Sequence, residues 1–253
     1  MLSARVIPVL LLRNESLVKT RRFGRFQYIG DPANTVRIFN ELEVDELMFL
    51  DITATREGRG PNLTVLREVA DECFMPLGYG GGVRSLEDAK AIFDTGIEKV
   101  ALNAAVLADP ALITRIADRY GSQAVVVSID VRSNLWGECR VYEHQRRRTS
   151  TRAPDDWAKE VESRGAGEIL LTDVSREGTW TGFNLPLVRQ IADAVSIPVI
   201  AHGGARDLSD VGAVVSEGHA SAVAVGSMVV FQKKDMGVLV NFPAPADLAR
   251  VLA

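Results

Sequence analysis

Short apolar runs recur along the chain, near residues 6–12, 46–52, 76–80, 99–103, 124–130, 168–173, 197–202 and 222–226. They are rich in Val, Ile and Leu and lack strict alternation, the pattern of parallel strands buried on both faces. Between them lie stretches such as NTVRIFNELE, SLEDAKAIFDTG and DDWAKEVESRGAG, where apolar residues fall at helical spacing after Ser, Asp or Asn and before Gly. Eight strand–helix units predict an α/β fold, a single (β/α)8 or TIM barrel.

The pattern is also written twice. The segment ELMFLDITA, from Glu46, returns as EILLTDVSR from Glu168, 122 residues later. At the same offset MPLGYGGGVRSLEDA returns as IPVIAHGGARDLSDV, which aligns Gly81-Gly82 with Gly203-Gly204. VALNAAV from Val100 then matches VAVGSMV from Val223, at an offset of 123. Three matches in one order predict a duplicated domain, 1–253, with half-barrels of about 1–123 and 124–253. An open doubly wound sheet does not naturally produce a four-plus-four duplication.

Composition adds little beyond exclusions. Hydrophobic residues at 47% and charged residues at 25% are ordinary for a chain with a large core. A net charge of −4 gives no support to nucleic-acid binding. Cys73 and Cys139 form no disulfide framework and no CxxC spacing. No stretch resembles a signal peptide or reaches the roughly 20 apolar residues of a membrane span, so a soluble, cytoplasmic protein is expected, with no metal or cofactor. The basic clusters Arg146-Arg147-Arg148 and Lys19…Arg21-Arg22 read either as solvated loops or as anion sites.

In barrels of this kind the chemistry sits where strands run into helices at the C-terminal face. Asp51, Asn103, Asp130, Thr172 and Asp173 fall there, with Gly80-Gly81-Gly82 and Gly203-Gly204. A glycine pair between strand and helix lets the backbone approach a phosphate, although a tight turn alone explains it as well. Two such pairs at equivalent positions predict two phosphate sites across the mouth, and so a long substrate phosphorylated at each end. One asymmetry interrupts the duplication. The first strand ends RVIPVLLLRNE with Leu11, where its counterpart AVVVSIDVRSN carries Asp130.

These stretches, with FLDITA, GSQAVVVSID, RGAGEILLT and the GGG and GGA turns, resemble the cyclase subunit of imidazole glycerol phosphate synthase, from histidine biosynthesis. The resemblance runs essentially end to end. It implies a duplicated (β/α)8 barrel that pairs with a glutaminase subunit, receives ammonia at its bottom and conducts it through the core. At the top, ammonia reacts with a phosphoribulosyl-formimino-aminoimidazole carboxamide ribonucleotide to give imidazole glycerol phosphate and an aminoimidazole carboxamide ribotide. Carried over position by position, the charged gate of the family falls on Arg5, Glu46, Lys99 and Glu168, a set that a structural ion-pair network would also explain. Of its two aspartates, acid and base, only Asp130 is present; the other position is Leu11. Lys19, Asp51 and Thr172 match substrate contacts. The first phosphate site keeps Gly82 and Asn103, with Ala104 where a hydroxyl is usual. The second keeps Gly178, Gly204, Gly226 and Ser227, with Glu177 in place of the usual Asp and His202 in place of a smaller polar residue.

Leucine accepts no proton, and general acid–base assistance contributes roughly 10²–10⁴ in rate. Three readings follow. In the first, a divergent barrel retains ammonia conduction and delivers to another acceptor. Relatives with this LLL strand and FGRFQYIGDP loop resemble barrel subunits associated with amidination of bacterial surface sugars (lipopolysaccharide O-antigen), where a separate sugar amidotransferase uses the ammonia. In the second, an authentic lyase of histidine biosynthesis works with Asp130 alone. In the third, the barrel is a non-catalytic scaffold.

Overall fold

The computed structural model describes residues 4–134 and 136–252. Eight parallel strands close into a ring: β1 (Arg5–Arg13), β4 (Leu47–Asp51), β5 (Leu77–Gly80), β6 (Lys99–Leu102), β7 (Val125–Ser133), β10 (Glu168–Asp173), β11 (Val199–His202) and β12 (Ala222–Val225). Closure is made by β1 pairing with β12 and β7 pairing with β10. The expected strands are all present, with ends displaced by a few residues. Helices cover the outside: α1 (Pro32–Glu41), α2 (Leu63–Glu72), α3 (Leu86–Phe93), α4 (Ala104–Ala108), α5 (Ala111–Tyr120), α6 (Pro154–Ser163), α7 (Leu185–Ala192), α8 (Leu208–Ser216), α9 (Ser227–Val230) and α10 (Pro245–Leu252).

Local chemistry sets the helix starts. Asp31 accepts the Asn34 backbone N–H at 2.8 Å with Pro32 at the first helical position, so α1 begins two residues before its apolar pattern does. Ser85 and Asp88 form a reciprocal capping box on α3.

Every barrel strand but β5, whose alternate positions are Gly78 and Gly80, contributes to two cores. The larger lies between sheet and helices, with Phe39, Leu66, Ile92, Trp157 and Ile191 completely or almost completely buried. The smaller fills the barrel, from Ile7, Val9, Met48, Val126, Leu170 and Ile200 up to Leu11 at the mouth. Burying each such side chain contributes about 1.5–3 kcal/mol, which is why the runs lack a polar face.

The apolar pattern left four further strands unmarked. They form β-hairpins that rise from opposite sides of the mouth. β2 (Ser16–Thr20) and β3 (Phe26–Gly30) follow β1, turning back through Asn14 in the left-handed region, φ 58°. β8 (Cys139–Glu143) and β9 (Arg148–Thr149) follow β7. No described helix is long and apolar enough to cross a membrane.

Candidate functional site

The inward positions of the strands fix what each end of the barrel displays. At the bottom, where the strands begin, Arg5, Glu46, Lys99 and Glu168 close a ring of alternating charge. Arg5 donates to Glu46 and, at 2.5 Å, to Glu168. Lys99 Nζ completes the circuit, 2.8 Å from Glu46 and 3.0 Å from Glu168. The carboxylates are buried, and the Arg5 side chain stays 31% exposed, so the ring faces solvent through its arginine. Each charge has two opposite neighbours, the condition under which a partly buried set is tolerated. A face of this kind can admit a small neutral molecule only past these four side chains.

At the top, both hairpins overhang a cavity of about 1030 Å³. Leu11 and Asp130 line it from β1 and β7, strands opposite one another in the ring. The backbone of Leu11 pairs with Leu50 and Val18, and its side chain belongs to the inner apolar cluster. Asp130 accepts one hydrogen bond, from Asn103 Nδ2 at 2.8 Å. Burial raises its pKa to about 7, against the opposing pull of the Asn103 hydrogen bond and with a further push from Glu177. A lone carboxyl that titrates near neutrality can exchange a proton in either direction. Neither Asn14 nor Glu15 supplies the missing carboxylate from the hairpin. Asn14 and Glu15 are exposed at the turn.

Asp51 is present at the mouth but already engaged. Its carboxylate pairs with Arg59 at 2.8 Å and accepts the backbone N–H groups of Thr53 and Ala54, both at 3.0 Å. Gly82 and Asn103 line the open cavity beside Ala104.

The second glycine turn is different. Lys19 is not extended toward the cavity; it lies across the turn and pairs with Glu177, the two being 6% and 1% exposed. Glu177 also accepts from Thr20 Oγ1 and from the Phe23 backbone N–H, both at 3.1 Å. A Cβ on Gly226 would stand 2.9 Å from Lys19 Cε, and one on Gly178 would stand 2.4 Å from the Thr20 carbonyl oxygen. Both glycines therefore serve the docking of the hairpin. The space left among Gly178, Gly204, Gly226 and Ser227 is about 10 Å³. His202 Nδ1 lies 3.1 Å from Thr172 Oγ1, and burial, helped by nearby Lys19, lowers its pKa to about 4, so the ring is neutral at pH 7.

Several contributors escaped the sequence. Arg59 lies eight positions from its partner, and no motif signals the pair. Phe23 and His144 bring the two hairpins together, ring centroids 5.4 Å apart in an edge-to-face contact. Nine arginines line the cavity, scattered over five loops and two strands. Of the cluster singled out by sequence, Arg146 and Arg147 are among them, while Arg148 pairs with Glu143 at 3.3 Å. Among the described residues, no group of three or more His, Cys, Asp or Glu is arranged to hold a metal ion.

Comparison with known proteins agrees with this architecture. Residues 5–235 match the family described as "Histidine biosynthesis protein". A protein of Pseudomonas aeruginosa, provisionally named imidazole glycerol phosphate synthase subunit hisF2, is 49% identical over 96% of this chain and 97% of its own length. One from Vibrio vulnificus, provisionally named subunit hisF3 of the same synthase, is 39% identical over 100% of this chain and 97% of its own length. Imidazole glycerol phosphate synthase subunit HisF of Hyphomonas neptunium is 44% identical over 91% of each chain.

Proposed function

The chain belongs to the histidine biosynthesis family of barrels, and from that premise we propose that it is a HisF-like subunit that takes ammonia from a glutaminase and delivers it to an acceptor other than the family's own cyclisation substrate. The observation that carries this reading is the contrast between the two ends of one barrel. The four-charge ring of Arg5, Glu46, Lys99 and Glu168 is complete, while Asp130 faces Leu11 where a second carboxylate is needed.

The physical chemistry supports conduction of the neutral molecule. Ammonium entering the ring would have to leave its hydration shell for a lining of Ile7, Val9, Met48 and Leu170, which is far costlier than the same passage for ammonia. Lys99 and Arg5 hold the ring carboxylates in ion pairs, so a cation finds no unpaired anion there. At the mouth, Asp130 puts a carboxyl with a pKa of about 7 beside the open cavity, and Leu11 leaves the far side of a reacting ring without a proton partner. In this reading, ammonia emerging beside Asp130 passes to a separate enzyme that amidinates a bacterial surface sugar. The glutaminase binds under the charged ring, and the protein works in the cytoplasm.

One observation favours a second reading. A carboxyl with a pKa near 7 is suited to serve as both acid and base in turn, as an authentic cyclase working with Asp130 alone would require.

The partner assignment is tested by mixing the purified chain with each glutaminase subunit of the same genome, and following complex formation and glutamine hydrolysis. The proposal expects a one-to-one complex with one of them, glutaminase activity that rises on binding, and loss of the complex when Arg5 and Glu46 exchange charge. A chain that binds none of them is not an ammonia-conducting subunit.

A further inference from the structure

The two glycine turns at the mouth offer very different electrostatics. The first, Gly81-Gly82, opens on the large cavity, with Arg56, Arg84 and Arg147 on its walls. None of these three makes an ion pair with a carboxylate among the described residues, unlike Arg146, which pairs with Glu143 at 3.3 Å. Arg56 and Arg147 both lie close enough to His144 to help lower its pKa, after the larger effect of burial. His144 Nδ1 is itself buried with no hydrogen-bond partner among the described residues. The guanidinium groups of Arg56 and Arg147 beside His144, with Arg84 on the same cavity, are hydrogen-bond donors from which an oxyanion would accept through paired N–H groups.

The second turn has no such capacity. Its about 10 Å³ suffices for a single water and falls far short of a phosphate. Lys19 occupies the space, and its charge is already matched by Glu177. A phosphate entering here would have to draw Lys19 away and face the buried Glu177 carboxylate, two like charges in a poorly solvated place. Thr172 and neutral His202, next to it, present a hydroxyl and an imidazole but no charge.

We propose that the mouth is a one-anion site. It holds a single phosphate ester group against Arg56, Arg84 and Arg147, and an uncharged, hydroxyl-bearing portion of the same ligand against Thr172 and His202. The Lys19–Glu177 pair bars a second anionic end. The inference goes beyond the proposed delivery of ammonia and does not depend on it; it names a class of ligand for the mouth, a sugar or polyol phosphorylated at one end.

Equilibrium dialysis of the full chain against radiolabelled inorganic phosphate tests it. The expected result is saturation at one equivalent, weakened at least tenfold when Arg56 and Arg147 are both replaced by Ala. The Glu177→Gln variant, which frees Lys19 from its carboxylate, is expected to take up two equivalents; its retained first equivalent shows that the variant is folded. Two equivalents in the unaltered chain would overturn the one-anion inference and leave the mouth as a ligand site. A Glu177→Gln variant still saturating at one would overturn the role of the pair. No bound phosphate, or binding indifferent to the two arginines, would overturn the inference and leave the proposed delivery of ammonia standing.

Discussion

Leu11 and Asp130 lie towards the C-terminal ends of opposite strands of one barrel and line one cavity, yet only Asp130 can carry a proton. The pairing is unequal in environment as well as chemistry. Leu11 is held in the inner apolar cluster by Val18 and Leu50, while Asp130 is buried with a single hydrogen-bond donor among the described residues, Asn103. Burial without a counter-charge is what holds the carboxyl near pH 7.

That arrangement has a cost that depends on pH. With its folded pKa about 7, above the ordinary value of 3.8, Asp130 keeps a proton in the native state where the unfolded chain has lost it. Stability from this group is therefore full below about pH 4 and declines as the pH rises to about 7. Asp130→Asn removes the dependence while still offering Asn103 an oxygen. The variant is expected to melt several degrees above the unaltered chain at pH 8, with the gap closing towards pH 4. Melting curves across that range check it; a gap equal at both ends would mean that Asp130 is ionised throughout.

The ring at the bottom is a cooperative unit. Glu46→Gln leaves Arg5 and Lys99 to share Glu168. The expected loss lies between the ~1 kcal/mol of an exposed pair and the ~3–5 kcal/mol of a buried one, because Arg5 is partly in water. Adding Lys99→Met should restore part of it, since one uncompensated cation is removed. Denaturant unfolding of the two single variants and the double variant measures the coupling; strictly additive losses would mean that the four charges do not act together.

Docking of the first hairpin depends on Gly178. This residue has φ +68°, and a side chain there would meet the Thr20 carbonyl oxygen at 2.4 Å. Gly178→Ala is expected to release residues 21–25, with their three arginines, to trypsin at least tenfold faster while the barrel resists. Unchanged cleavage would mean that the hairpin is held elsewhere, at the Phe23–His144 contact.

Much of the barrel was legible because its strands are buried on both faces, so each left an unbroken apolar run such as VIPVLLL or AVVVSI. The hairpins were not, because SLVKT and FQYIG are short, and Phe26 and Tyr28 point outwards, 49% and 61% exposed. Among site residues, the duplication brought out Asp130 against Leu11. The fate of Lys19 was hidden, since its partner Glu177 lies 158 positions away and neither residue alone reveals an ion pair. The same holds for the arginines of the cavity, which share a wall only once the chain is folded.

Under the proposed function, this barrel handles ammonia without performing the family's ring closure. The most direct test is turnover of the phosphoribulosyl ribonucleotide in excess ammonium salt, which bypasses the glutaminase, for the unaltered chain, Leu11→Asp, and Leu11→Asp combined with Glu177→Gln. The uncatalysed rate is expected for the first two. A gain, within the ~10²–10⁴-fold range of acid–base help, is expected only in the double variant, where the second turn is freed as well. Robust turnover by the unaltered chain would contradict it, and would make Asp130 alone sufficient for the cyclase reaction.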